Sequence, residues 1–235
     1  MLQAIFFDLD GTLLPMDNEY FVKYYFKYLA KDAMAWGYND PEALVKALWI
    51  GVEAMMKNDG SRSNFDAFWD TFGQVLNRDA KKDAPLFDQF YAGNFHHAKA
   101  ATGEAPLARE AVTVAREKAP IVILATNPIF PDVADESRLS WIGLKMEDFD
   151  LVTDMSNSCH CKPNPEYFRD MLRQFDLDPA QCLMVGNNVV EDWQAANAAG
   201  IPCYLITDHI INPNNDPITC PHGSYADMVE YLRNL

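Results

Sequence analysis

Four apolar residues, Ala4-Ile5-Phe6-Phe7, run directly into Asp8-Leu9-Asp10-Gly11-Thr12. A short, continuously apolar run of this kind reads as a strand buried on both faces of a parallel sheet. It ends in two carboxylates one residue apart, followed by a Gly-Thr turn. In open α/β sheets, ligands bind at the carboxyl ends of the strands. Two carboxylates held close together there are costly unless a cation lies between them or one takes up a proton. Taken alone, the run also fits a strand followed by an acidic turn.

Further along the chain the pattern recurs. The segment Ile121-Val122-Ile123-Leu124-Ala125-Thr126-Asn127 is a second buried strand, ending in a hydroxyl. Cys161-Lys162-Pro163-Asn164-Pro165 sets a lysine just before a helix start, and Gln181 to Asp192 reads as a third strand followed by amides and carboxylates. Carboxylates, hydroxyl, lysine, then a polar and acidic loop: this order resembles the haloacid dehalogenase (HAD) superfamily. The resemblance covers Ile5 to about Ile206, apart from an insert between Pro15 and about Thr102.

From residue 121 onward, strands at 121–125, 149–153, 182–185 and 203–207 alternate with helices at 132–141, 165–175, 191–199 and 224–235. Such alternation implies an α/β fold with a parallel sheet and right-handed crossovers. A helix over 105–118 feeds the strand at 121. Residues 15–102 break the rhythm with four helical patterns, over 19–36, 41–57, 64–76 and 84–100, and no convincing strand. The resemblance implies a Rossmann-like, doubly wound core (1–14 and 103–235) with an all-helical cap domain (15–102) that closes over the active site. The aromatics of the helical segment and His96-His97 read as core, and Asp17, Asn18 and Glu19 adjoin the hinge. The turn-rich stretch from Asn212 to Pro217 reads as a surface loop.

A chain of 235 residues is long enough for one sizeable core, or a core plus a smaller module. No apolar run approaches the roughly 18 residues of a membrane span, and the N-terminus has no leader-like pattern. The net charge of −15 argues against nucleic acid or an anionic membrane surface as partner. A phosphorylated substrate therefore needs local positive charge. The five cysteines are odd in number and form no regular framework, which points to a reducing compartment and a cytoplasmic location. Cys159-His160-Cys161 is the one metal-like fragment, and a zinc site there lacks a fourth ligand. Monomer and homodimer are equally compatible with the sequence.

The resemblance assigns roles to individual residues. Asp8 is the nucleophile, attacking phosphorus to form an aspartyl-phosphate. Asp10 is general acid to the leaving oxygen and then base to the attacking water, and its backbone carbonyl is a metal ligand. Thr126 and the Asn127 backbone N–H bind phosphate oxygens. Lys162 sets a compact positive charge against Asp8 and the transferring group. The loop from Gly186 to Asp192 departs from the family's Gly-Asp pattern, because Asn187 stands at the first acidic position. An amide oxygen still ligates Mg²⁺, so the expected metal set is Asp8, Asp10, Asn187 and, directly or through water, Asp192. Glu191 is a weaker candidate. The implied activity is Mg²⁺-dependent hydrolysis of a small phosphorylated metabolite. The alternatives are carbon–halogen cleavage, a mutase, a phosphonate hydrolase using a cap lysine (Lys23, Lys27 or Lys31), and a catalytically weak binding protein.

Overall fold

The computed structural model describes residues 2–235. Its centre is a six-stranded, all-parallel sheet built from β1 (Ala4–Phe7), β2 (Ile121–Leu124), β3 (Leu151–Val152), β4 (Cys182–Gly186), β5 (Cys203–Ile206) and β6 (His222–Gly223), in the order β3-β2-β1-β4-β5-β6. The fold is α/β and Rossmann-like. Side chains alternate across β1, so Ile5 and Phe7 join one hydrophobic cluster while Ala4 and Phe6 join the other. Helices α5 (Ala108–Lys118), α6 (Asp132–Trp141) and α9 (Tyr225–Arg233) contribute to the first cluster; α7 (Glu166–Phe175) and α8 (Ala195–Ala198) contribute to the second.

Strand β1 lies between β2 and β4, with Ile5 opposite Val122 on one side and Leu183 on the other. The chain departs from β1 in both directions across the sheet, and the crevice beyond its carboxyl end is the switch point where α/β folds bind ligands. The in-register pairing of β1, β2 and β4 brings Asp8, Thr126 and Asn187 to the same edge.

Between β1 and α5 the chain forms α1 (Asn18–Ala35), α2 (Pro41–Met56), α3 (Asn64–Leu76) and α4 (Ala84–Ala92), with no named strand among the described residues. Each of the first three helices starts where a side chain can accept an orphan backbone N–H: Asp17 from Tyr20, Asp40 from Glu42 and Ala43, and Ser63 from Asp66. Phe68, Trp69, Phe72 and Phe87 pack edge-on and stacked against one another. Phe72 is fully buried, and truncating it to Ala should cost about 3–5 kcal/mol. The helical segment leaves and rejoins the core side by side, through an antiparallel bridge between Met16 and Thr102. A second tie lies at the start of α3, where the Asn64 N–H donates to Ser158 O (2.8 Å) and the Phe65 N–H donates to Met155 O (2.6 Å). The fully buried Asn64 amide adds a bond to Pro128 O.

Several local expectations change. The helix expected over 84–100 breaks at Gly93, and its second half is a 3₁₀ segment, Asn94–Ala101. The helix expected over 191–199 instead begins with a π-helical turn, Val189–Gln194, before α8. The strand expected over 149–153 is only two residues long. The two-residue β6 has no counterpart in the sequence reading, being too short to carry a period-two pattern. Asn212 and Asp216 bond one another across the 212–217 loop, as a self-contained surface turn does.

Candidate active site

The carboxyl end of β1 opens onto a cavity of about 260 Å³ whose walls include Asp8, Asp10, Thr126, Asn127, Lys162 and Asn187. Gly11 turns the chain here with a φ of +83°, a conformation L side chains rarely adopt, and a Cβ at this position would collide with the Asn187 amide. The turn is closed by Thr12 N–H to Leu9 O and Gly11 N–H to Leu14 O. It leaves Asp8 facing the cavity at 7% exposure.

Lys162 is the charge centre. Its Nζ donates to Asp8 Oδ1 and to Asp192 Oδ1, both at 2.7 Å, and the side chain is 1% exposed. Burial works to lower the Lys162 pKa, but the Asp192 and Asp8 carboxylates override it and hold the ammonium well above its usual range. Burial pushes Asp8 the other way, from 3.8 up to about 7, opposed mainly by Lys162. Asp192 reaches Lys162 from the π-helical turn, and its other oxygen accepts the Asn187 and Asn188 N–H groups at 3.0 and 2.9 Å. Gly186 permits this approach, since a Cβ there would overlap the Asp192 side chain.

The Thr12 hydroxyl lies 3.2 Å from Asp8 Oδ2 and 3.0 Å from Asn187 Oδ1. One hydroxyl proton thus faces two acceptor oxygens, leaving lone pairs on both unclaimed. The Asn187 amide is oriented by donation to His209 O at 2.7 Å. Two hard oxygens converging on one side of the cavity fit a divalent cation of the Mg²⁺ type, with the Asp10 carbonyl on the adjoining turn. Of the Asp192 carboxylate, Oδ1 accepts from Lys162 and Oδ2 from the two backbone N–H groups, and each oxygen keeps a further lone pair. Glu191 Oε2 accepts from Asn127 Nδ2 at 3.2 Å, and burial raises its pKa.

Thr126 follows β2 into the cavity wall. Its carbonyl is fixed by Thr153 Oγ1 (2.7 Å) and Tyr167 Oη (2.8 Å), while its hydroxyl has no partner among the described residues. That arrangement leaves a donor for an anionic oxygen.

The sequence reading missed Arg138. Fully buried in α6, it forms ion pairs with Asp10 Oδ2 and Asp135 Oδ1 and lies 4.7 Å from the Phe130 ring centroid. Asp10 Oδ1 is buried without a partner. Arg138 therefore orients the second acid of the motif and leaves one of its oxygens free. The metal-like fragment is divided: Cys159 and His160 gather with Asp170, whereas Cys161 Sγ accepts from Asn64. His96 accepts from Trp141 Nε1 and His97 stacks on Tyr28, but both histidines are exposed and not the core residues expected.

The haloacid dehalogenase-like hydrolase family model matches residues 2–200. The chain belongs to this family of hydrolases. Among curated relatives, the bovine (Bos taurus) haloacid dehalogenase-like hydrolase domain-containing protein 3 is 26% identical over 141 residues, which are 60% of this chain and 54% of that protein. The match thus spans about half the length of the relative. A 2-haloacid dehalogenase from Pseudomonas syringae pv. Tomato DC3000 superposes with a TM-score of 0.63 at 16% identity, covering 100% of this chain and 99% of its own. A HAD phosphatase from Thermococcus onnurineus gives 0.58 at 19%, covering 98% of both. The HAD-hydrolase YfnB from Bacillus subtilis, bound to magnesium, gives 0.57 at 16%, covering 100% and 99%. At these identities the likeness is one of fold.

Proposed function

We propose that this HAD-like hydrolase is a Mg²⁺-dependent phosphatase acting on a small phosphorylated metabolite through an aspartyl-phosphate. The observation that carries the reading is Asp10: it lies on the cavity two residues beyond Asp8, held by Arg138 through one oxygen and unpartnered at the other. Displacement of an alkoxide needs a proton for the leaving oxygen, and the Asp10 carboxyl on the cavity wall would give one.

An Asp8 oxygen attacks phosphorus in line, the phosphorus–ester oxygen bond breaks, and the Asp10 proton passes to the departing oxygen. Asp10, now ionised, takes a proton from water as that water attacks the aspartyl-phosphate. The products are inorganic phosphate and free Asp8. Lys162 and the Thr126 hydroxyl face the equatorial oxygens as charge builds there. Asp8, the Asp10 carbonyl and Asn187 Oδ1 would hold Mg²⁺, which supplies charge neutralisation to the transferring group. We assign Asp192 to positioning Lys162, and to water-mediated rather than direct contact with the metal. The helical segment 15–102 acts as a cap that excludes bulk water.

The net charge disfavours nucleic-acid and membrane partners, and among the described residues no helix is long and apolar enough to cross a membrane. All five cysteines are free, in keeping with a reducing cytoplasmic setting. Lys23, Lys27 and Lys31 do not line the 260 Å³ cavity, which counts against the phosphonate-hydrolase alternative.

The deciding assay is hydrolysis of nitrophenyl phosphate with and without Mg²⁺. Metal-dependent turnover that Asp8→Asn abolishes is the expected result. Dehalogenation is the second reading, favoured by the loss of one acidic metal ligand at Asn187; halide release from a 2-haloacid without metal would establish it instead.

A further inference from the structure

A second cavity, of about 210 Å³, adjoins the catalytic one. Asp10, Asn18, Ile129 and Phe130 line both, so the space beyond the reacting centre continues into the chamber under the helical segment. Its walls are apolar and largely aromatic, with Phe26, Leu48, Val52, Phe68 and Trp69 prominent.

Three features define what the chamber accepts. No Lys, Arg or His lines it, and its only charged groups are the acids Asp10 and Asp88. Burial holds Asp88 above the usual carboxylate range, with Asp132 adding to the effect. A second phosphate or a carboxylate on the substrate would enter without a counter-charge and beside these acids, a costly burial. The Tyr25 and Tyr91 hydroxyls share one hydrogen bond at 3.0 Å, which leaves one O–H donor between them for a neutral acceptor. Trp69 is 4% exposed, and its indole N–H is buried without any partner, a donor that a neutral acceptor on a ligand would satisfy. An apolar cavity of about 150 Å³ is enough to take benzene, so this one has room for a substituted ring or a small fused pair.

We propose that the substrate is a monophosphate ester of an uncharged aromatic or comparably bulky apolar alcohol, whose organic part occupies this chamber while its phosphate sits against Asp8 and Lys162. This assignment rests on the phosphatase reading and narrows it.

The test compares kcat/KM for naphthyl phosphate and phosphoglycolate in Mg²⁺ with the full chain. Naphthyl phosphate should be favoured by about 100-fold or more, the scale set by an unpaired buried charge against a filled apolar site. Titration with naphthol alone, followed by tryptophan fluorescence, should show saturable binding. Val52→Trp, which fills the chamber, should weaken that binding and lower the ratio of naphthyl to acetyl phosphate turnover by about 10-fold or more. Comparable kcat/KM for naphthyl phosphate and phosphoglycolate, or no saturable naphthol binding, overturns the assignment and leaves the phosphatase reading intact. Saturable naphthol binding with no hydrolysis of any phosphate overturns the phosphatase reading and the substrate class with it.

Discussion

Arg138 reaches from α6 to the Asp10 carboxylate across 128 residues of chain and, with the other arm of its guanidinium, holds Asp135. The fork geometry matters, because a lysine cannot span both acids. Arg138→Lys should fold and bind Mg²⁺ yet lose about 10- to 100-fold in kcat, through a misplaced Asp10. Arg138→Met leaves the buried Asp135 and the part-exposed Asp10 without a counter-charge and should destabilise the protein by about 3–5 kcal/mol. Steady-state kinetics and urea denaturation separate these effects. A kcat unaltered in Arg138→Lys would show that Asp10 needs no orientation from this side.

Protons and metal should compete at Asp8. Burial raises both Asp8 and Asp135 from 3.8 to about 7. Between those values the folded state binds more protons than the unfolded chain. These two groups therefore make the metal-free protein less stable as pH rises from about 4 to about 7. In the proposed site Mg²⁺ would bind the ionised Asp8, so the Tm gain from saturating Mg²⁺ should be larger at pH 8 than at pH 5.5. Asp8→Asn should remove that pH dependence. Differential scanning fluorimetry across pH, with and without the metal, is the measurement; an equal Mg²⁺ shift at both pH values counts against Asp8 as a ligand.

Asn187→Asp should tighten Mg²⁺ binding while weakening the metal-free fold. The added charge favours the cation. The lost amide hydrogens leave a carboxylate oxygen facing His209 O, where Nδ2 now donates at 2.7 Å, a change worth about 1–3 kcal/mol of stability. Calorimetric titration of Mg²⁺ and chemical denaturation in EDTA read the two arms. Unchanged metal affinity would remove Asn187 from the coordination set.

Gly186→Ala tests the route by which Asp192 reaches Lys162. The added methyl meets the Asp192 side chain, which must shift and carry the lysine with it. We expect a loss of about 1–3 kcal/mol in stability from overpacking. The drop in kcat should exceed what Asp192→Asn produces. Stopped-flow kinetics of both variants make the comparison.

The legibility of this chain follows from how local each signal is. Asp8, Thr126 and Asn187 each follow a run of apolar residues, and in-register parallel pairing of β1, β2 and β4 makes the ends of such runs meet. Lys162 is marked by the prolines that follow it. Arg138 carries no such mark. It reads as an ordinary charged position on a helix, and only the i, i+3 spacing from Asp135 hinted at an internal pair. Its burial goes with α6 packing against α4 and the 3₁₀ segment Asn94–Ala101, relationships between segments far apart in sequence. The break at Gly93 and the π-helical turn at Val189–Gln194 escaped because helix-forming composition continues through both. The chamber beside Asp10 escaped because aromatics that line a void and aromatics that fill one share the same periodicity.

The tie at the start of α3 bears on how a molecule gets in. A cap joined to its core only at Met16 and Thr102 would swing like a door on one hinge. Here Asn64 and Phe65 fasten the far side of that door to residues 155 and 158, so admission by wholesale swinging first requires unlatching a buried amide. A further pair of ties lies on α6, where Ser137 donates to Tyr91 O and Trp141 to His96, so wholesale displacement of the helical segment would have to break these bonds as well.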